Sequence, residues 1–543
     1  MATTRVRRPE GWVVAIGGAT VVALVLRLWG IGHQSFWYDE SLTVDEMHMR
    51  FLRMLSTVRL TEVTPPLYFA SAWMWTRLAG FGEAGVRSLS ALAGTLTVPA
   101  VAACAATLAG RRAAVIAAAL VAVNPLLIWY SQEARAYALM TLLCALSWLF
   151  FLRAARGGRA ADLALWAVAS ALALATHYFA LFLVAPELAW LVARAPRRPS
   201  VWGAAVGVGA VGLALLPFAI ARRSRGTHWI HGIPLELRLR QIAEQFAGGF
   251  SASRAIVGPT VALMALALGG LLLAADRPTR RAAVAALATA AVAIALPLVL
   301  GRFGLDYLIT RNVLFILVPL TVLVAIGLAA LPVRWLGATA AVGLAAIGIT
   351  AAARVDASAA LQRPDWRLVA RALGPQVSNR AIVVAGSYRG RPVKTYLPHT
   401  GFMSEPPPAV REIDVIGMRS RREPGCWWGA ECNLPNASPA TRAPAPGFRL
   451  RSRVRIGSFT IVRFSSRASA AFVSCSPVYR SPKRFRGRRR IPVVVLVQRV
   501  RRPRGSVAHR APHERACKDA RRCVDLRAVR RKRSAPCGRS PSA

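Results

Sequence analysis

Two acids stand side by side at Asp39-Glu40, in the run Gly32-His33-Gln34-Ser35-Phe36-Trp37-Tyr38-Asp39-Glu40-Ser41-Leu42, just past the first long apolar segment. Acid is scarce in this chain, with 71 Lys and Arg against 24 Asp and Glu. A carboxylate pair at the end of an apolar segment, beside aromatics of the kind that settle at a membrane interface, suits general-base work on an acceptor hydroxyl next to a lipid headgroup. The chemistry implied is catalysis at a membrane surface. Further polar residues stand at the ends of other apolar segments: Arg87, the group Ser131-Gln132-Glu133-Ala134-Arg135, His177-Tyr178, Arg302 and Arg311.

The elements that must position these residues are membrane helices. Of 543 residues, 55% are hydrophobic and only 17% charged, and apolar stretches near the ~20 residues needed to cross a hydrocarbon core recur along the chain. This excludes an ordinary soluble domain. Apolar runs predict eleven spans, at 11–31, 86–109, 113–130, 136–153, 162–176, 179–194, 201–221, 255–275, 282–301, 308–330 and 334–353. The first run has no small-residue cleavage site and reads as a retained helix rather than a leader. With the basic N-terminus (Arg5, Arg7, Arg8) inside, five arginine-bearing turns fall on the cytoplasmic side, as the positive-inside rule expects. The polar residues above then gather on the outer face. Loop 222–254 runs against the rule, because Arg222, Arg223 and Arg225 lie on the outer side.

Segment 66–81 is rich in Trp and short for a span, so it reads as an interfacial helix, and 41–58 as a second amphipathic segment. Residues 1–353 therefore form an all-α polytopic membrane domain. Residues 354–466 mix polar sequence with short β-like runs such as 381–385 and 458–462, which predicts a small extracytoplasmic α/β or α+β domain. There Cys426 and Cys432 lie where a disulfide is permitted, while Cys104 and Cys144 fall within helices as packing residues. The last 77 residues, 467–543, hold 23 Lys or Arg against three acids, which predicts a disordered tail. A basic tail suits anionic lipid or nucleic acid, but this mixture of Arg, Pro, Ser and Ala also resembles a frame-shifted end of a GC-rich gene, and no function or nucleic-acid partner is assigned to it.

Four motifs in order carry a resemblance: Trp37-Tyr38-Asp39-Glu40-Ser41-Leu42, Thr64-Pro65-Pro66-Leu67-Tyr68, Val86-Arg87-Ser88-Leu89-Ser90-Ala91-Leu92-Ala93-Gly94 and Tyr130-Ser131-Gln132-Glu133-Ala134-Arg135-Ala136-Tyr137. Over roughly residues 11–360 the chain resembles GT-C type glycosyltransferases of the protein O-mannosyltransferase and lipid A aminoarabinose transferase superfamily. The resemblance implies an inverting enzyme of a bacterial plasma membrane. It would move a monosaccharide, mannose or another hexose or pentose, from a polyprenyl-phosphate donor to an envelope lipid, glycan or protein acceptor. It implies Asp39 as base or acceptor-orienting residue, with Glu40 positioning its neighbours. Arg87, Arg135, Arg302 and Arg311 become candidates for the donor phosphate. Tyr38, Thr64, Tyr68, Glu133, His177 and Tyr178 become candidates for substrate contact. Many relatives carry His or Lys where this chain has Thr64, so either the phosphate contact moves to an arginine or the donor geometry differs.

Taken alone, Glu133 with Arg135 also reads as a helix cap, His177-Tyr178 as an interfacial aromatic pair, and Arg302 and Arg311 as helix-end anchors. Glu187, an acid within a predicted span, stays unassigned. Some relatives use a divalent ion at the acidic pair, yet this chain offers no His or Cys cluster, so neither metal nor other cofactor is expected. A transporter or flippase for a lipid-linked sugar is the rival reading, against which stand the missing internal repeat and the polar residues gathered on one face.

Overall fold

The eleven apolar segments all fold as helix, but they differ in whether they are long enough to cross a bilayer. The computed structural model describes residues 10–157, 159–222, 230, 233–374, 379–385, 390–397, 400–402, 409–418, 447–471 and 493–498. Among these, eight helical segments have the length and apolarity of a span. They are α1 (Gly11–Leu28), α5 (Glu83–Ala109), α8 (Tyr137–Gly157), α11 (Pro199–Arg222), α13 (Arg254–Gly269, continued by a π-turn to Ala274), α14 (Arg277–Arg302), α15 (Leu317–Ala330, entered through a 3-10 turn Thr310–Ile316) and α16 (Arg334–Ala357). A ninth arises if α6 (Arg111–Val123) and α7 (Pro125–Ser131), bent by 57°, are one broken span. The remaining two, α9 (Ala160–Thr176) and α10 (Leu181–Arg194), have 17 and 14 residues. At ~1.5 Å per residue, α10 falls well short of a ~30 Å hydrocarbon core. Eight or nine spans, rather than eleven, follow from length and composition.

Packing confirms a lipid solvent. Val206 and Leu213 of α11 and Val284 of α14 are exposed, while Trp148 and Trp166 are fully enclosed. Small residues let backbones approach: a Cβ on Gly348 of α16 would lie 2.6 Å from the carbonyl of Val123, so only glycine fits. The protein is a multi-pass membrane protein of mostly helical fold.

Between α1 and α5 the polar stretch forms three short helices, α2 (Tyr38–Met47), α3 (Phe51–Thr61) and α4 (Leu67–Ala79). The single amphipathic segment expected at 41–58 is thus two helices. The chain breaks at His48–Arg50, where Trp73 donates its indole N–H to the Met49 carbonyl at 2.9 Å. A further short helix, α12 (Leu235–Gly248), precedes α13. Arg238 of α12 grips Asp306 with two bonds of 2.6 and 2.7 Å, fixing the stretch that leads into the Thr310 turn.

The compact membrane unit runs to Ala370 and takes in 391–396 of α18 (Gly390–Tyr396), so it ends later than the boundary expected at 353. The second unit starts at Arg371, within α17 (Trp366–Leu373), and holds a six-stranded mixed sheet. Its strands are β1 (Arg380–Ala385), β2 (Thr400–Phe402), β3 (Ala409–Met418), β4 (Arg449–Ile456), β5 (Phe459–Ala471) and β6 (Val493–Gln498), ordered β2-β6-β1-β3-β5-β4. β1 and β3 run parallel and the other pairs antiparallel, around Ile382, Val415, Val462 and Phe464.

This corrects the expected tail. β5 extends to Ala471, and Val493–Gln498, an apolar run inside a basic stretch, pairs with both β1 and β2. Composition averaged over 77 residues hides six that form a strand. Cys426 and Cys432, Arg223 and Arg225, and the rest of the basic stretch lie outside the described residues.

Candidate active site

The polar residues meet at one end of the bundle, because charged groups at the ends of α1, α5, α7, α8 and α16 have satisfied one another there. Asp39 and Glu40 open α2, and the helix turns them to different surroundings. Glu40 is sealed, with side-chain exposures of 0% for it and 1% for Arg87. Arg87 donates to Glu40 Oε1 at 2.7 Å and Oε2 at 2.6 Å, and to the carbonyls of Ile31, Gln34 and Ser35. These five bonds use all five guanidinium N–H donors. Glu40 Oε1 also accepts from the Ala134 N–H at 2.9 Å. Burial opposes the charge on Glu40, but Arg87 and then Arg363 outweigh it and hold the carboxyl below the usual carboxylate range.

Arg87, expected at the donor phosphate, has no N–H donor left in this structure, and it pins the loop before α2 to α5. Its motif has parallel explanations. Ser88 accepts from the Trp75 indole at 2.8 Å, Ser90 lies against the Tyr68 hydroxyl, and Gly94 leaves the room that Ser131 and Arg27 occupy. Tyr68 is fully buried, with its hydroxyl 3.3 Å from that of Ser90. Thr64 is also buried.

Asp39 is more open. Arg311 donates to its Oδ2 at 3.2 Å, and the two side chains keep 17% and 24% exposure. The Arg311 guanidinium lies 6.0 Å from the ring of Tyr137, which packs against Tyr130 and against His177. His177 Nδ1 accepts from the Phe179 N–H, and burial, then the charges of Arg135 and Arg311, push its pKa down to about 3, so the ring is neutral. Tyr178, in the 3-10 turn that follows, and Tyr38, next to Asp39, are half-buried. Arg135 is buried and donates to Glu62 at 2.6 Å. Arg302 is exposed at the end of α14 and takes no part in this network.

Glu133 sits in the turn between α7 and α8, where Arg363, beyond α16, donates to its Oε2 at 2.8 Å and to the Gln132 carbonyl at 3.2 Å while lying over Trp129. Burial raises the Glu133 carboxyl above its usual range in spite of Arg363.

Sequence reasoning missed Arg363, Glu62, Glu46 and Arg27. Arg27 alone leaves a local signal, as a charge inside an apolar helix. Pro125 has no N–H to give the Val121 carbonyl, and the Asn124 side chain takes the N–H groups of Leu126 and Leu127. Arg27 fills the break by donating to the carbonyls of Val121 and Ala122 and to Ser131. The bend that delivers Glu133 and Arg135 to the site is thus held by a residue of α1.

No group of three or more His, Cys, Asp or Glu suited to a metal ion occurs among the described residues. The arrangement offers a partly open carboxylate beside a partly open guanidinium, backed by buried ion pairs that fix their neighbours.

The family of dolichyl-phosphate-mannose-protein mannosyltransferases matches the chain over residues 63–221. Among solved structures, ArnT from Cupriavidus metallidurans bound to undecaprenyl phosphate is similar at 13% identity and a TM-score of 0.52, covering 84% of this chain and 98% of that one. The S. cerevisiae protein O-mannosyltransferase Pmt1-Pmt2 complex bound to the sugar donor matches at 18% identity and a TM-score of 0.31, over 40% of this chain and 33% of that one. The archaeal oligosaccharyltransferase AglB from Archaeoglobus fulgidus matches at 11% identity and a TM-score of 0.42, over 71% and 63%. No curated protein sequence matches the chain. The fold is similar to that of ArnT, and the mannosyltransferase family match over residues 63–221 takes in three of the four motifs that carry the resemblance.

Proposed function

We propose that the protein is an inverting glycosyltransferase that moves a monosaccharide from a polyprenyl-phosphate carrier to a hydroxyl of a cell-envelope lipid, glycan or protein. The observation that carries this reading is the division of the acidic pair. Glu40 is locked by Arg87, whereas Asp39 and Arg311 stay partly open with one bond between them. Asp39 takes the proton of the acceptor hydroxyl as its oxygen attacks the anomeric carbon, and the carrier phosphate leaves from the opposite face. Arg311 neutralises the charge that grows on that phosphate. Arg135, still held by Glu62, is the second cation. Glu133 and neutral His177 shape the sugar subsite with Tyr38 and Tyr178.

In this reading the membrane is a bacterial plasma membrane, the N-terminus is cytoplasmic, and the site and sheet domain face outward. The ArnT structure, bound to undecaprenyl phosphate, supports a lipid-phosphate carrier.

The test is transfer of radiolabelled sugar from a panel of polyprenyl-phosphate monosaccharides into envelope fractions by wild type and Asp39→Asn at matched expression. Transfer that disappears in the variant supports the reading and identifies the sugar. Transfer untouched by the substitution removes Asp39 from catalysis, and no transfer from any donor turns the reading toward a lipid-linked sugar flippase.

A further inference from the structure

Behind Arg135 two acids are buried together. Glu46 ends α2 and Glu62 follows α3, and both are almost fully enclosed. Thr61 bridges them in sequence and space, since its hydroxyl donates to Glu46 Oε1 at 2.8 Å and Glu62 is the next residue. Arg135 donates to Glu62 Oε2 at 2.6 Å. Each acid then has one buried oxygen with no hydrogen-bond partner, Oε2 of Glu46 and Oε1 of Glu62.

The charges do not balance if both acids are ionised. The two guanidinium groups that act on Glu46, Arg135 and Arg391, each hold a different carboxylate: Glu62 at 2.6 Å and Asp45 at 2.8 Å. The ring nitrogen of His48, just past α2, meets the Val44 carbonyl, and the Tyr68 hydroxyl on α4 lies against Ser90. Arg77, exposed on α4, donates to the carbonyls of Trp73 and Met47 and to the Thr76 hydroxyl. An unpaired buried carboxylate is costly, whereas one proton removes the excess charge and supplies the missing donor.

We propose that Glu46 is a positioning residue, held as the neutral acid with its O–H donated to Oε1 of Glu62, so that it fixes the carboxylate that in turn holds Arg135 at the site. One proton then satisfies both orphaned oxygens. Burial and, after it, the neighbouring Glu62 charge push the Glu46 pKa up to about 8, consistent with this arrangement. Nothing in the motif resemblance assigns Glu46. Its effect on transfer rests on the function proposed above, but its effect on stability does not.

The experiment compares wild type, Glu46→Gln and Glu46→Ala in detergent, reading melting temperature and kcat/KM against pH. A group whose pKa rises from the ordinary 4.5 to about 8 on folding gives stability that is complete below pH 4.5 and lost as pH climbs to 8. Wild type should show that decline, and Glu46→Gln should flatten it, because a glutamine N–H replaces the acid O–H at every pH. In transfer, wild type should lose activity as pH rises through 8 and Glu46→Gln should keep it. Glu46→Ala should lose on the order of 10²-fold in kcat/KM at pH 7, as expected when a site group is misplaced. A wild-type slope unchanged in Glu46→Gln, or a glutamine variant as destabilised as the alanine one, overturns the proposal. If no donor supports transfer, the melting curves still decide it.

Discussion

The two faces of the short helix α2 give neighbouring acids opposite surroundings. On one face Glu40 meets Arg87 with two bonds, no exposure and a fifth-donor count that closes exactly on nearby carbonyls and the carboxylate; on the other, Asp39 meets Arg311 with one 3.2 Å bond and both groups partly open.

 The contrast teaches how a protein separates structure from chemistry when it has few acids to spend. A buried, fully bonded pair cannot change partners without a large loss, whereas a half-open pair can admit a substrate between its members.

The comparison can be broken most decisively at Asp39. Asp39→Asn should lower transfer by roughly 10²–10⁴-fold, the range for a lost general base, while its melting temperature in detergent stays near wild type. A comparable fall in stability would erase the difference between the two faces. Next comes the sealed pair: Arg87→Met should leave Glu40 uncompensated and cost about 3–5 kcal/mol, read as a lowered melting temperature. Arg311→Lys keeps the charge but loses the planar fork, and should raise KM for the lipid donor about tenfold with a smaller effect on kcat. Gly94→Ala should cost about 1–3 kcal/mol by overpacking, because a Cβ there runs into Ser131 and Arg27. Arg302→Ala, at an exposed helix end, should change stability by less than about 0.5 kcal/mol and leave transfer as it was.

Much of this was legible in the residues. Apolar runs located every membrane helix, because burial in lipid leaves a long and simple signal. The motifs located Asp39, Glu133 and Arg135 at one end of the bundle. The pairings were not legible, because they join residues far apart in the chain: Arg135 and Glu62 are 73 positions apart, and Arg363 and Glu133 are 230 apart. Arg87 shows the limit most clearly, since its sequence context marks it as important but not whether its donors are free. The break at Pro125 was hidden inside the apolar run 113–130, where hydropathy does not register a lost backbone N–H.

The segment after α16 carries a consequence for how the protein is made. Arg363 holds Glu133, the Arg363 N–H meets the Gln34 side chain, and Ser35 joins the Pro364 carbonyl and the Trp366 N–H. The first loop of the membrane unit is thus stitched by its last residues. During synthesis every helix through α16 can enter the bilayer while these ties are still missing, and the first loop gains them only once residue 366 has left the ribosome. Emergence of residues 363–366, rather than insertion of the helices, is the event that closes the first loop.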